Sequence, residues 1–142
     1  MKKSKRIQPI IRVAESKEQR AAVELGRAQN QLQEQVKRLQ DLQSYQQEYR
    51  TRLQETGRNG ISISKLQSFR SFLDKLEIAL VQQKQAVTMA EELVASRKQQ
   101  WFASRDKVKI YNNVATKYVN AELRQEEKQE QKDSDERAQR LP

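Results

Sequence analysis

From Ile7 to Leu53 the chain places apolar residues at alternating steps of three and four. The series runs Ile7, Ile11, Ala14, Glu18, Ala21, Leu25, Ala28, Leu32, Gln35, Leu39, Leu42, Gln46, Tyr49, Leu53. All but Glu18, Gln35 and Gln46 are apolar. Steps of this kind put the positions on one stripe of a helix, the a/d seam of a coiled coil. A disordered segment does not hold such a register over so long a stretch. A second series runs Leu66, Phe69, Leu73, Leu76, Leu80, Gln83, Val87, Ala90, Val94, Arg97, Trp101, Ser104, Val108, Tyr111, Ala115, Tyr118. Here all but Gln83, Arg97 and Ser104 are apolar. Each stripe needs cover, and the two fit one another as an antiparallel hairpin.

Between the stripes lies "LQETGRNGISIS", Leu53 to Ser64, which holds Gly57 and Gly60, two of the chain's 3 glycines. The chain therefore reverses once, and Gly57 or Gly60 supplies the φ > 0 residue that ends a helix at little cost. Asn59-Gly60 is itself a turn dipeptide. The second helix has two possible starts. Ser62 can cap it, with Ile61 and Leu66 as a hydrophobic staple, or Ser64 can cap it in a box with Gln67. Pro9 suits the first turn of the first helix. Gly26 lies inside that helix, as a weak spot or a point of close approach.

The pattern predicts an all-α fold: a long antiparallel two-helix coiled-coil hairpin with an overhanging C-terminal helix. Residues 1–142 form a single coiled-coil domain, with helix 1 at about 9–56, a turn at 57–62 and helix 2 at about 63–138. Pairing Leu53 near Leu66 sets Ile7 against residue 112 or so, and leaves 113–138 overhanging. The paired part is then roughly 70 Å long and the overhang roughly 40 Å. The overhang, "NAELRQEEKQEQKDSDERAQR", is almost wholly polar. Such a helix is marginal alone, so it should fray and become ordered on a partner.

Composition agrees. Apolar residues make up 35% and charged residues 33%, which suits long helices with a narrow buried stripe better than a compact globule. Cysteine and histidine are both absent, 0 of each. Disulfides and thiolate metal sites are excluded, and the commonest general base and metal ligand are missing. Three glycines cannot form a phosphate-cradling loop. No cofactor, metal or catalytic site is expected, and the chain reads as no enzyme. The basic start "MKKSKRIQPIIRVAE" is not followed by a continuous apolar segment of the kind secretion needs, and no run approaches a membrane span. A soluble cytoplasmic protein is expected.

The formal net charge is +9. Lys2, Lys3, Lys5, Arg6 and Arg12 stand at the start with no acid among them. Elsewhere basic and acidic residues interleave, as in "KQQWFASRDKVK", so no specific nucleic-acid face is expected. Trp101 lies on the seam and reads as core.

One seam gives modest stability, and its polar members Glu18, Gln35, Gln46, Gln83 and Arg97 should weaken it. The ends should melt first. Val36, Tyr45, Phe72, Ile78, Ala79 and Val81 lie beside the seam near the turn. They either widen the core stripe or form an exposed apolar patch for a partner.

"LQDLQSYQQEYRTRL" followed by "GRNGISISKLQSFRSFLDKLEIAL" resembles the FliJ family, small components of the bacterial flagellar type III secretion machinery. "RVAESKEQRAAVELG" is similar to the family's N-terminal segment, and "DERAQRL" to its C-terminal end. The resemblance implies an antiparallel coiled coil that is like the stalk of rotary ATPases and hydrolyses nothing. It implies that the protein sits in the ring of the export ATPase FliI, touches the cytoplasmic domain of the export gate FlhA, and assists recycling of export chaperones. Membrane association would come only through the export apparatus, at the cytoplasmic face of the inner membrane. The implied gate-contacting residues are Arg38, Leu42, Tyr45 and Tyr49 on the first helix, and Phe72, Leu76, Ala79 and Gln83 on the second. Arg38 departs from the family's usual glutamine. Leu42, Tyr49 and Leu76 are then expected to be part seam and part shoulder, with Tyr45 and Phe72 more exposed. The ATPase contact is implied where the termini meet. The alternatives are the equivalent stalk of a virulence injectisome, or a generic cytoplasmic coiled-coil scaffold or chaperone.

Overall fold

The computed structural model describes residues 1–141. The chain forms a short helix α1 (Lys3–Arg6) and two long ones, α2 (Gln8–Arg58) and α3 (Ile63–Arg140). The fold is an all-α helical hairpin. Among the described residues no helix is long and apolar enough to cross a membrane. Contacts divide the chain into two units, one of Val23–Lys98 and one of Met1–Ala22 with Gln99–Pro142.

The first unit contains the turn. Gly60 carries φ +87°, the left-handed conformation that glycine adopts without a Cβ penalty. Its N–H donates to the Gly57 carbonyl at 3.3 Å. Gly57 and Arg58 are still helical, so the turn is shorter than 57–62: the helix ends at Arg58, and only Gly60 takes a positive φ. Ser62 is the cap of α3. Its hydroxyl accepts from the Lys65 N–H at 3.2 Å, and its carbonyl accepts from the Leu66 N–H at 3.0 Å. The Ser64 hydroxyl is not used in this way.

Burial follows the predicted period. No position of either seam series is exposed in its own unit. In the turn-bearing unit the core holds Ala28, Leu76, Leu80 and Val87. In the other it holds Ile7, Ile11, Ala14 and Ala115, with Tyr111, Val114 and Tyr118 packed against Ile7, Ile11 and Ala115. Among the described residues no large side chain is completely enclosed, as a single seam dictates. At Gly26 a Cβ would meet nothing within 4 Å, so the glycine serves no close approach.

The polar seam positions are not simply weak points. The Gln83 amide donates to the Gln35 carbonyl at 2.9 Å and to its Oε1 at 2.8 Å. Gln46 Nε2 donates to Glu77 Oε2 at 2.9 Å. In the termini-bearing unit Trp101 Nε1 donates to Glu18 Oε1 at 3.0 Å. Across the seam Gln35 with Gln83, and Glu18 with Trp101, keep the expected register to within one residue.

The partnered stretch of α3 runs past Asn113, where the spacing predicts the overhang to begin. Ile7 and Ile11 pack with Ala115, and Ser4 and Lys2 reach Glu122 and Glu126. The cause is the extra turn α1, which gives α3 a neighbour beyond Ile7. Between α1 and α2 the helix is interrupted at Ile7, because Pro9 has no N–H to donate to the Lys5 carbonyl. The polar end of α3 is helical to Arg140. Side-chain bonds one turn apart support it, Gln129 to Asp133 at 3.1 Å and Gln131 to Asp135 at 3.2 Å.

Candidate functional site

Four aromatic rings meet beside the turn. Tyr49 contacts Phe72 with centroids 4.4 Å apart and Phe69 at 5.0 Å. Tyr45 contacts Tyr49 at 6.5 Å and Phe72 at 5.9 Å, the latter with the rings steeply tilted. Tyr45 and Tyr49 are one helical turn apart on α2, and Phe69 and Phe72 one turn apart on α3. Facing turns of two helices therefore build one cluster. Edge-to-face packing of this kind adds about 0.5–1.5 kcal/mol per pair beyond simple burial.

The cluster is a shoulder more than a core. Tyr45 is 45% exposed, while Tyr49, Phe69 and Phe72 are half-buried. Of the residues the sequence proposes as a contact face, Tyr45, Tyr49 and Phe72 are brought together directly. Leu42 and Ala79 are half-buried and Arg38 is exposed. Two depart from the expected picture. Leu76 is a core residue, 7% exposed, and no shoulder. Gln83 turns its amide inward to Gln35. Both lie on the α3 stripe that faces α2, and burial there takes precedence over outward display. Phe69 was missing from the proposed face. Its seam position marks it as core, and only its ring contact with Tyr49 joins it to the cluster.

The termini-bearing unit has a different surface chemistry. The Glu122 carboxylate accepts from the Ser4 hydroxyl at 2.7 Å and from the Ser4 N–H at 3.1 Å. It thereby satisfies a donor in the first turn of α1, the service an N-cap side chain usually performs from within its own chain segment. The Ser4 hydroxyl, with smaller help from its N–H and from Lys2 and Lys5, holds the Glu122 carboxyl below the usual range. Lys2 Nζ donates to Glu126 at 2.7 Å. That bond and the carboxylate charge raise the Lys2 ammonium above its ordinary value. Lys3 lies over the Tyr118 ring at 5.7 Å. The basic tip is thus tied to α3. Nearby, Pro9, Ile10, Val13 and Tyr111 line an open groove of about 600 Å³ with Lys17 and Lys107 among its walls.

A helical hairpin with one apolar seam belongs to the class of coiled-coil proteins. The comparison with known proteins narrows the class. The family model described as "Flagellar FliJ protein" matches residues 2–142. The "Flagellar FliJ protein" of Salmonella typhi is 30% identical over 117 residues, which is 82% of this chain and 78% of that relative. No solved structure matches the chain. The chain belongs to the flagellar FliJ protein family, and is a component of flagellar protein export.

Proposed function

We propose that the protein is a non-enzymatic, stalk-like component that couples the export ATPase FliI to the export gate FlhA and assists export-chaperone recycling. It would work in the cytoplasm, at the cytoplasmic face of the inner membrane through the export apparatus. The observation that carries the gate contact is the aromatic shoulder. Tyr45 keeps nearly half its surface open while its ring rests on Phe72 and Tyr49. A large aromatic held in place by neighbours loses little freedom on binding, and such residues dominate interface energies.

The gate-binding surface is accordingly centred on Tyr45, Tyr49 and Phe72, with Leu42, Ala79 and Arg38 around them. Leu76 and Gln83 act from beneath, by holding the helices that carry the rings. The ATPase contact falls on the groove of Ile10 and Val13 and on the basic tip. Apolar side chains exposed beside lysines suit a partner surface that is apolar with an acidic rim.

The test is a pair of binding measurements on folded variants. Tyr45→Ala with Phe72→Ala should abolish binding to the purified FlhA cytoplasmic domain, with helicity by circular dichroism near that of the parent. The same variant should still raise FliI turnover. Helicity lost in parallel with binding would assign the rings to the fold and end the gate reading.

A further inference from the structure

Association of the helices and their register are separate matters here. The seam is apolar at most of its heptad positions, so a slip of one heptad again sets mostly apolar residues opposite apolar residues. The cross-helix polar pairs respond differently. In the turn-bearing unit Gln83 donates twice to Gln35. Slipping by a heptad in either direction sets Gln35 against Leu76 or Ala90, and Gln83 against Ala28 or Leu42. In the termini-bearing unit Trp101 donates to Glu18. There the same slips set Glu18 against Val94 or Val108, and Trp101 against Ile11 or Leu25. Each slip faces a polar group with an aliphatic side chain and leaves it without its bond.

We propose that the two polar pairs, Gln35 with Gln83 and Glu18 with Trp101, are register keys: apolar burial makes the helices associate, and these pairs set how they align. The turn fixes alignment in its own neighbourhood. Gln35 lies some six helical turns away from it, where small distortions of either helix accumulate and a local determinant is needed. A single polar residue at a seam position is known to specify register at some loss of stability. Here both helices contribute, so only one alignment satisfies both partners. Gln83 is bonded to the Gln35 carbonyl as well as to its side chain, and so also keys on the backbone of α2.

For a protein proposed to join two partners, register is the quantity that must not drift, because it determines which side chains of α2 and α3 form a shared face. Tyr45 reaches Phe72 only in the present alignment. One heptad is about 10 Å along a helix, more than the 5.9 Å between those rings.

The chain has 0 cysteines, so two can be placed at will. Ser44→Cys and Thr88→Cys, both exposed, carry nitroxide labels whose separation is read by pulsed electron paramagnetic resonance on the full chain. The parent should show a single distance. Gln35→Leu with Gln83→Leu, in a chain that also carries Glu18→Leu so that neither key remains, should show a second population displaced by about 10 Å along the helices, with a thermal midpoint equal to or above the parent's. Gln35→Glu with Gln83→Lys, which restores a pair, should return the single distance. A single parental distance in the leucine variant overturns the proposal. So does a lowered midpoint or lost helicity in that variant, which would make the pair a stability element instead. Two populations in the Glu/Lys variant would overturn it too.

Discussion

The ring of Tyr45 on α2 meets Phe72 on α3 at a centroid distance of 5.9 Å, with the ring planes 72° apart. That contact ties the most exposed member of the aromatic cluster to the opposite helix.

Tyr45 and Leu76 should therefore fail in opposite ways. Tyr45→Ala should weaken FlhA binding tenfold or more, on the order of 2 kcal/mol for an interface hot spot, with a small effect on the melting temperature. Leu76→Ala removes a core side chain and should lower stability by about 2–3 kcal/mol. Chemical denaturation and a binding titration on both variants check the contrast. Equal loss of stability in the two would refute it.

The glycines give a second pair of opposite outcomes. Gly26→Ala adds a methyl group where nothing lies within 4 Å, inside a helix that disfavours glycine. It should raise stability by roughly 0.5–1 kcal/mol. Gly60→Ala forces a Cβ onto a residue at φ +87°, and should lower stability by about 1–2 kcal/mol. Thermal melts followed by circular dichroism read both, and the signs matter more than the sizes.

Ser62 is the single side-chain cap of α3. Ser62→Ala removes the acceptor for the Lys65 N–H and should cost about 1 kcal/mol. Ser64→Ala should be close to silent. Reversal of that order in urea unfolding would show that the helix starts two residues later in solution.

The tip should respond to pH in a defined direction. The Glu122 carboxyl is held below its ordinary range by Ser4. Its contribution is present above the unfolded-state value and is lost as pH falls through the lower folded value. Lys2 is raised by Glu126, so its share is complete below the ordinary lysine range and disappears only as pH rises through the folded value. The tip thus stays attached across neutral pH and detaches in acid. Exchange of the Ser4 amide proton, followed by NMR from pH 7 to pH 3, should accelerate at the acid end beyond what the change in intrinsic exchange rate explains. Glu122→Gln should weaken the attachment already at pH 7.

Much of this fold is visible in the seam spacing alone. A buried stripe repeated with helical period leaves few alternatives, and the glycine cluster marks where the chain reverses. What spacing cannot show is where a side chain's polar end goes. Gln35, Gln83 and Glu18 read as blemishes in the seam: the expected register sets Gln35 across from Gln83 and Glu18 across from Trp101 to within a residue, but spacing does not show that their polar atoms bond. The spacing marks both Phe69 and Leu76 as seam; the family resemblance is what asks for Leu76 on an accessible face, and its burial follows the spacing instead. Both sit on the seam, and small rotations of the helix decide which leans outward. The paired region reaches further than the seam spacing predicts because α1 is too short and too polar to be read as a helix. Its order comes from Glu122 and Glu126, far along the chain.

Trp101 is the chain's 1 tryptophan, and its indole N–H points at a carboxylate on the neighbouring helix while Arg105 lies over its ring at 5.0 Å. Charge on both sides of an indole shifts its emission. The molecule therefore carries its own optical gauge of helix separation near the termini, and any partner that pries the helices apart there would register as a shift in ultraviolet emission, with no dye added.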